Sequence, residues 1–282
     1  MECDKNVQIY GKIKLGVGTM QALEKTLKYY ELLMTYEDTS NFFKCDLPVG
    51  FHYEFYKPGD ENEWVDIHIS SGEFTSYDKG MEYFHQFYDS FINELNKRLI
   101  FIVNNNGEKV GTATISKLLK KEDGYDAAVD WVAIKKEYQG QKLSKPLISK
   151  FISLANELGH NKLVLHTQTH TWLAAKLYLD FGFEPYRIND TYEGWQILKT
   201  ITNHSKLNSI ESISNDKMYS KTAILIYDEL SKIHGDNFNY EIWYKDGRND
   251  VYVYDFNNYY EYKYCKTDDG IVLEQVNYKK VK

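Results

Sequence analysis

Residues 127–159 decide the fold, and they read AAVDWVAIKKEYQGQKLSKPLISKFISLANELG. The first part, Ala127 to Ile134, is almost entirely apolar and predicts a buried β-strand. Apolar side chains then recur at helical spacing from Leu143 onward, and the helix should stop before Gly159. A polar loop with one glycine, residues 135–142, separates the two elements. The stretch therefore predicts a strand–loop–helix unit.

The loop from Gln139 to Ser144 has the features of an anion site. Consecutive backbone N–H groups at a helix N-terminus offer several donors and a favourable dipole to a phosphate. Gly140 lets the backbone approach closely, and Pro146 lies in the first helical turn, where its missing N–H breaks no helical hydrogen bond. Taken alone, a single glycine between a strand and a helix is also an ordinary connection. The loop by itself leaves both interpretations open.

Strands and helices continue to mix downstream of this unit. Lys162 to Thr167 predicts a strand, and Thr171 to Phe181 predicts a helix that ends at Gly182. Phe183 onward predicts an extended segment, with Trp195 to Leu198 as its hairpin partner.

The upstream residues follow the same mixed order. An aromatic strand ends near Tyr56 at the turn Lys57 to Asp60, and Lys79 to Asn96 predicts a helix. Leu99 to Val103 then pairs with Val110 to Ser116 in a hairpin. This order predicts an α/β fold of the mixed α+β kind, in which helices flank a mixed sheet.

The two ends of the chain predict separate units. A strand from Val7 to Leu15 and a helical pattern from Ala22 to Leu33 or Met34 predict an N-terminal βα arm. A polar segment rich in Ser and Asn predicts a linker, and the residues after it predict one helix on a small antiparallel sheet. The predicted units are the arm at 1–45, the main domain at 46–200, the linker at 201–216 and the small α+β domain at 217–282.

Composition narrows the classes of function. The chain has 41 acidic and 34 basic residues and a formal net charge of −7. This balance argues against a sequence-independent grip on nucleic acid or anionic lipid, because both need a basic patch. No apolar run approaches the roughly 18 residues of a membrane span. The three cysteines, Cys3, Cys45 and Cys265, are widely spaced and predict neither a disulfide framework nor a zinc site. Together with an acidic N-terminus, unlike a signal peptide, these features predict a soluble, cytoplasmic protein.

Two motifs resemble the GNAT superfamily of N-acetyltransferases. The first is Val132 to Ile134 followed by Tyr138 to Ser144, and the second runs from Ala174 through Leu177-Tyr178 to Gly182-Phe183. Both motifs match the family in order and spacing. The family's cofactor loop has a glycine where this chain has Lys142, and its frequent asparagine is replaced by Thr171. The resemblance covers about residues 47–200, and this part of the sequence looks like a bacterial subgroup of the family.

The resemblance implies a sheet that is splayed between the strands at 127–134 and 162–167, with acetyl-CoA as cosubstrate and no metal ion. The pantetheine arm would enter the opening and bind the backbone of Val132 and Ile134. Lys142 adds a positive charge near the phosphates or is simply solvated. The implied cofactor-binding residues are Val132, Ala133, Ile134, Gln139, Gly140, Gln141, Lys142, Leu143, Ser144, Lys145 and Thr171.

In the implied mechanism the acceptor amine attacks the thioester directly, and no acyl-enzyme forms. By the resemblance, Tyr178 is the general acid, since a phenol can donate a proton while neutral at pH 7; the alternative is a tyrosine that packs in the core. Asp130 and His166 are the candidate bases. Asp130 is alternatively a hydrogen-bonded structural group, and His166 a buried core residue.

The implied acceptor is a small-molecule or peptide amine. Whether the chain forms a homodimer is a question that the sequence leaves open. Asp66, His68 and Glu73 lie where the family often walls its acceptor pocket, although solvated surface charge is the alternative. His166 and His170 have the spacing of a zinc pair but begin on a strand and lack a catalytic Glu, so no metal site is predicted. The competing function is a catalytically inactive fold that binds acyl-CoA or serves protein interaction. Nucleotide binding is disfavoured because the phosphate-loop signatures are absent from the sequence.

Overall fold

Seven strands form one mixed sheet in a computed structural model of the chain. Their bounds are β1 Glu31–Tyr36, β2 Phe51–Phe55, β3 Leu99–Asn104, β4 Lys109–Glu122, β5 Tyr125–Ile134, β6 Leu163–Gln168 and β7 Glu184–Tyr186. The strands lie in the order β2-β3-β4-β5-β6-β1-β7. Neighbours run antiparallel except β5 and β6, which are parallel. The predicted mixed α+β fold is confirmed.

The structure describes residues 24–74, 76–122, 124–235, 238–243, 249–255, 258–268 and 270–280. The predicted strand from Val7 to Leu15 and the start of the predicted helix at Ala22 lie outside these residues. Within them, no helix combines the length and the apolar character that crossing a bilayer requires.

Helices cover both faces of the large sheet. Their bounds are α1 Glu61–Ser71, α2 Tyr77–Tyr88, α3 Leu95–Arg98, α4 Ser144–Glu157, α5 Trp172–Asp180, α6 Tyr192–Thr202, α7 Asn215–Met218 and α8 Lys221–His234. Alternate residues of β3 enter different cores, because successive side chains of a strand point to opposite faces. Ile100 and Ile102 join the core under α4 and α5, whereas Phe101 and Val103 join the aromatic core under α1 and α2.

The parallel pair β5 and β6 separates partway along its length. Only Ala127 to Val129 pairs with β6, opposite Leu163 to Leu165. Just beyond this point β5 contains a bulge: Asp130 and Ala133 have partners in β4, and the two residues between them, Trp131 and Val132, have none. A bulge bends its strand and increases the local twist, so β5 turns away from β6. The predicted opening between the two strands is present.

Two helix and strand predictions are wrong. The helix through Leu33 or Met34 is replaced by β1, in which Leu32, Met34 and Tyr36 are buried at the two-residue period of a strand. β1 lies between β6 and β7 in the sheet. The predicted strand at Trp195 to Leu198 lies in α6, where burial follows a helical period, and the partner of β7 is β1.

The C-terminal residues form α8 on a second, antiparallel sheet. Its strands are β8 Asn239–Trp243, β9 Asp250–Asp255, β10 Asn258–Thr267 and β11 Gly270–Lys280, in the order β11-β10-β9-β8. Ile226 and Leu230 of α8 are buried in its core. In the segment of chain between α6 and α7, Leu207 and Ile210 are buried against the core under α4 and α5. The predicted helix on a small antiparallel sheet is confirmed.

Candidate functional site

The loop that follows β5 bends through two left-handed residues before α4 begins. Gly140 has φ 78° and Lys142 has φ 62°. The side-chain amide of Gln139 donates to the Ile134 carbonyl at 3.1 Å, which ties the loop to the end of β5. Gln141 donates to the Glu137 carbonyl at 3.1 Å. Alternation between left- and right-handed residues turns consecutive N–H groups toward one side and makes an anion-binding concavity.

The N-terminus of α4 has no side-chain cap. Leu143 is the N-cap residue, no side chain accepts a hydrogen bond there, and the first turn contains no acidic residue. Its first helical bond joins the Leu147 N–H to the Leu143 carbonyl at 3.1 Å. Lys142 and Lys145 place positive charge beside the positive end of the helix dipole, which is unfavourable unless an anion lies there. The loop and the helix therefore suit a phosphate group.

The left-handed backbone of Lys142 explains why glycine stands at this position in the family. Lys142→Gly should remove strain of about 1 kcal/mol, offset by the greater entropy of an unfolded glycine, so stability should change by less than about 1 kcal/mol. If the lysine charge acts on bound phosphate, the affinity for acetyl-CoA should fall about fivefold, and less at high salt. Calorimetric titration measures this change. An unchanged affinity would mean that the Lys142 side chain is solvated and does not act on the bound phosphate.

Tyr178 presents a buried hydroxyl group in α5. Its side chain is 6% exposed, and its ring packs against Phe151 and Phe183 at centroid distances of 6.4 and 5.7 Å. Burial raises its pKa above the usual value, and the Glu73 carboxylate raises it further. No hydrogen-bond partner of this hydroxyl lies among the described residues. The phenol is therefore neutral and has a proton to donate.

Glu73, in the turn after α1, lies in a cleft. Its side chain is exposed to solvent, yet desolvation by the surrounding protein raises the pKa of its carboxyl group, and the Lys25 ammonium lowers it. A carboxylate that water reaches but protein largely surrounds faces a concave surface. Within the described part of the chain, the Glu73 carboxylate has no hydrogen bond.

The two candidate bases lie where β5 and β6 begin to separate. Asp130 is partly buried, and burial raises its pKa, whereas the nearby Ser116 hydroxyl and His166 ring lower it. His166 is exposed, so the interpretation as a core residue is wrong. Its Nδ1 lies 2.7 Å from a carboxylate oxygen of Glu31 in β1. Asp130 and His166 follow the last paired residues, Val129 and Leu165.

The remaining predicted residues are Asp66, His68 and Thr171. Asp66 is exposed on α1. His68 is 1% exposed, neither ring nitrogen has a partner in the described residues, and burial lowers its pKa to about 3. His68 is therefore neutral and is not solvated surface charge. The Thr171 hydroxyl donates to the Gln168 carbonyl at 3.2 Å and lies 3.1 Å from the Thr167 hydroxyl.

His166 and His170 contact different groups and do not face one common metal position. His170 Nε2 lies 2.9 Å from the Leu27 carbonyl, whereas His166 contacts Glu31. Over the described ranges, no three His, Cys, Asp or Glu side chains gather closely enough to hold a metal ion.

Lys25 joins three segments beside Glu73, and sequence reasoning missed it. Its ammonium donates to the Gly72 carbonyl at 3.3 Å, to the Asn239 side chain at 2.9 Å and to the Tyr240 carbonyl. Burial lowers its pKa to about 8, although Glu73 and Glu241 oppose this shift. The ammonium therefore fastens β8 to the turn that carries Glu73. No local pattern could have found Lys25, because its partners lie far away in sequence.

The lowered pKa of Lys25 makes stability depend on pH. Between about pH 8 and the ordinary lysine value of 10.5, the unfolded chain keeps a proton that the folded chain has lost, so stability rises with pH. We expect the free energy of unfolding of the wild type, minus that of Lys25→Met, to increase by more than about 1 kcal/mol across this window. Urea titrations at both ends measure it. A constant difference contradicts the assignment.

A second contact between β8 and this region is an ion pair. Lys79 Nζ lies 2.7 Å from a carboxylate oxygen of Glu241. The Asn239 side chain also donates to the Phe74 carbonyl at 3.4 Å. The C-terminal sheet therefore abuts the turn between α1 and α2 that presents Glu73.

Several solved structures are similar in part to this chain. An N-acetyltransferase of the GCN5-related kind from Sphaerobacter thermophilus aligns with TM-score 0.47 at 15% identity, over 57% of this chain and 49% of that one. A GNAT acetyltransferase from Colwellia psychrerythraea aligns with TM-score 0.43 at 11% identity, over 57% and 55%. One from Kribbella flavida aligns with TM-score 0.39 at 17% identity, over 56% and 56%. The chain thus spans about half the length of these structures, and similarities this low do not bear on activity.

Comparison with curated protein sequences gave no match. The model of the acetyltransferase (GNAT) family matches residues 62–183. This match includes the bulge in β5, the loop before α4 and Tyr178. The resemblance inferred from the two motifs is confirmed: residues 62–183 of this chain are an acetyltransferase domain of the GNAT family.

Proposed function

We propose that the chain is an N-acetyltransferase that transfers an acetyl group from acetyl-CoA to a primary amine. One observation carries the proposal: the opening of the sheet after Val129 leads within one stretch of chain to a left-handed loop and an uncapped helix. The opening suits an extended arm, and the loop suits phosphates. Acyl transfer as such follows from the family.

The cofactor fits the residues present. Val132, Ala133 and Ile134 have no partner in β6, so the backbone edge of β5 that faces the opening is available to the pantetheine arm. Thr171 lies at the start of α5, near the open end of β6. Bound acetyl-CoA supplies an activated thioester. The phosphate-binding residues in this proposal are Gln139, Gly140, Gln141, Lys142, Leu143, Ser144 and Lys145.

Tyr178 is the proton donor in this proposal. Its raised pKa keeps the phenol protonated across the physiological range, and its hydroxyl is not committed to a described hydrogen bond. A neutral phenol can deliver this proton to the sulfur as the acyl group leaves. The Glu73 carboxylate, whose charge also raises the pKa of Tyr178, holds the acceptor as an ammonium ion until the proton is removed.

Asp130 is the base that the geometry favours. Its raised pKa, caused mainly by burial, brings the carboxyl group closer to the range in which it can take a proton from an ammonium ion. His166 lies nearby, yet Glu31 engages its Nδ1. We therefore propose that Asp130 accepts the proton directly or through water, with His166 as the alternative base.

We propose the cytoplasm as the place of action. The two described cysteines, Cys45 and Cys265, are free thiols. Free thiols persist in a reducing compartment.

The test is release of free CoA thiol when purified protein meets acetyl-CoA and a panel of primary amines, with mass spectrometry of the acetylated product. We expect release that depends on both the protein and an amine. Acetyl-CoA that binds but is never consumed with any amine, including lysine-containing peptides, overturns the proposal in favour of a catalytically inactive acyl-CoA-binding module.

A further inference from the structure

Aromatic rings of α1 and α2 converge on Trp131, the bulge residue of β5. The ring centroids of Phe74, Tyr83 and Phe87 lie 5.5, 6.1 and 5.8 Å from that of Trp131. The rings of Trp64 and His68, both fully buried, pack against the Trp131 ring at centroid distances of 5.2 and 5.3 Å. We call the rings of Phe74, Tyr83, Phe87 and Trp131 the aromatic wall.

Three of the four rings of the aromatic wall are partly exposed, and Phe74 is buried. Trp131, Tyr83 and Phe87 are only partly buried, and the rings of Tyr83 and Phe87 both contact that of Trp131. Trp131 also has φ 54°. A left-handed conformation is unusual for a bulky residue and persists where the surroundings hold it, often at ligand sites. The backbone thus turns this ring into the wall at a conformational cost.

Two acidic residues are sequence neighbours of residues in the aromatic wall. Glu73 directly precedes Phe74 and Asp130 directly precedes Trp131, and the rings of Phe74 and Trp131 are in contact. Both carboxyl groups are desolvated by the surrounding protein. A cation beside them recovers the lost solvation. The site therefore offers negative charge for an ammonium group and partly exposed aromatic rings, which meet edge to face at Trp131, for what is attached to it.

We infer that the acceptor is an arylalkylamine, whose aromatic ring lies on the Trp131, Tyr83 and Phe87 rings and whose ammonium group pairs with Glu73. This inference rests on the proposed function and adds the substrate class. Ring stacking and cation–π attraction both favour such a ligand. A simple alkylamine has no ring to cover the aromatic wall, which would stay in contact with water. A polyamine matches the two carboxylates but has no ring to cover the wall.

The experiment compares 2-phenylethylamine with n-butylamine, spermidine and a lysine-containing peptide as acceptors for acetyl-CoA. We expect kcat/KM for 2-phenylethylamine to exceed that for n-butylamine by about tenfold or more. Equal or better use of spermidine, the peptide or n-butylamine overturns the inference while leaving the proposed function in place.

Variants locate the effect on the aromatic wall. Tyr83→Leu and Phe87→Leu keep apolar volume but remove a ring, and each should lower the preference for 2-phenylethylamine over n-butylamine about fivefold. Glu73→Gln should raise KM for both amines, and Glu73→Asp should restore part of the loss. Tyr192→Leu, which removes an exposed ring of α6, is the matched control and should change nothing. An unchanged preference in both wall variants contradicts the inference.

A binding measurement separates failure of this inference from failure of the proposed function. Saturation-transfer NMR with 2-phenylethylamine and wild-type protein needs no turnover. If no amine is acetylated, the proposed function fails; arylalkylamine binding at the aromatic wall is then supported only if the ring signals of 2-phenylethylamine respond and lose their response in Glu73→Gln. Absence of binding, or binding that Glu73→Gln leaves unchanged, overturns the inference.

Discussion

Tyr178→Phe is expected to lower turnover of any accepted amine by about 100-fold or more, because a positioned general acid contributes roughly that factor. The substitution removes one oxygen from a buried ring and leaves its contacts with Phe151 and Phe183 intact. The affinity for acetyl-CoA should stay nearly unchanged, since the proposed phosphate and pantetheine contacts do not involve the Tyr178 hydroxyl. Steady-state kinetics with calorimetric titration of acetyl-CoA measure both quantities.

Tyr36→Phe is the matched control for this variant. Tyr36 is also 6% exposed, and its ring also contacts Phe183, at 5.0 Å. Its hydroxyl, however, donates to the Asn41 carbonyl. Tyr36→Phe should therefore cost about 1 kcal/mol of stability and leave turnover unchanged. Equal turnover in both variants removes Tyr178 from the role of acid.

Gly140→Asp is expected to weaken acetyl-CoA binding by about 100-fold or more. Gly140 is left-handed in the proposed phosphate loop, and a Cβ there meets no atom within 4 Å, so the new side chain has room and costs only the backbone strain of a left-handed residue. Its carboxylate would face phosphate charge, and two like charges about 4 Å apart repel by about 4 kcal/mol at an effective dielectric constant of about 20. Turnover at saturating acetyl-CoA should change far less.

Gly159→Asp controls for the backbone. Gly159 is left-handed at the other end of α4, and a Cβ there also meets open space. The variant thus adds the same charge and similar strain to the same helix without approaching the loop. If Gly159→Asp weakens binding as much as Gly140→Asp, the phosphate assignment of the loop is wrong.

The strand–loop–helix unit could be predicted because its information is local. Apolar runs define β5 and α4, and Gly140 and Pro146 mark the loop and the first turn. The left-handed backbone of Lys142, which stands where the family loop has glycine, was seen only in the structure. Tyr178 followed from the second motif alone.

Long-range pairing could not be read in this way. β1 joins β6 and β7 from more than a hundred residues away, and its side chains match helical spacing by coincidence over one short segment. The exposure of His166 depends on which strand lies beside β6. The surroundings of Glu73 depend on Lys25 and on β8, at opposite ends of the described chain. Such contacts are set by topology, and no periodicity encodes them.

The bulge at Trp131 is intermediate between these cases. A tryptophan in an apolar strand predicts burial, but its left-handed backbone and its contacts with the rings of α1 and α2 are tertiary features. The bulge is nevertheless what opens the sheet, and it places Asp130 at the opening. A feature of one residue thus connects the fold to the proposed chemistry.

Calorimetric titration of the purified protein with acetyl-CoA shows whether the opening between β5 and β6 binds an acyl-CoA, with adenosine diphosphate as a control for binding through phosphate alone. We expect micromolar binding of acetyl-CoA that adenosine diphosphate does not reproduce, because the proposed site in this opening holds the pantetheine arm. Absence of acetyl-CoA binding, or equal affinity for adenosine diphosphate, would contradict the claim that this opening is an acyl-CoA site.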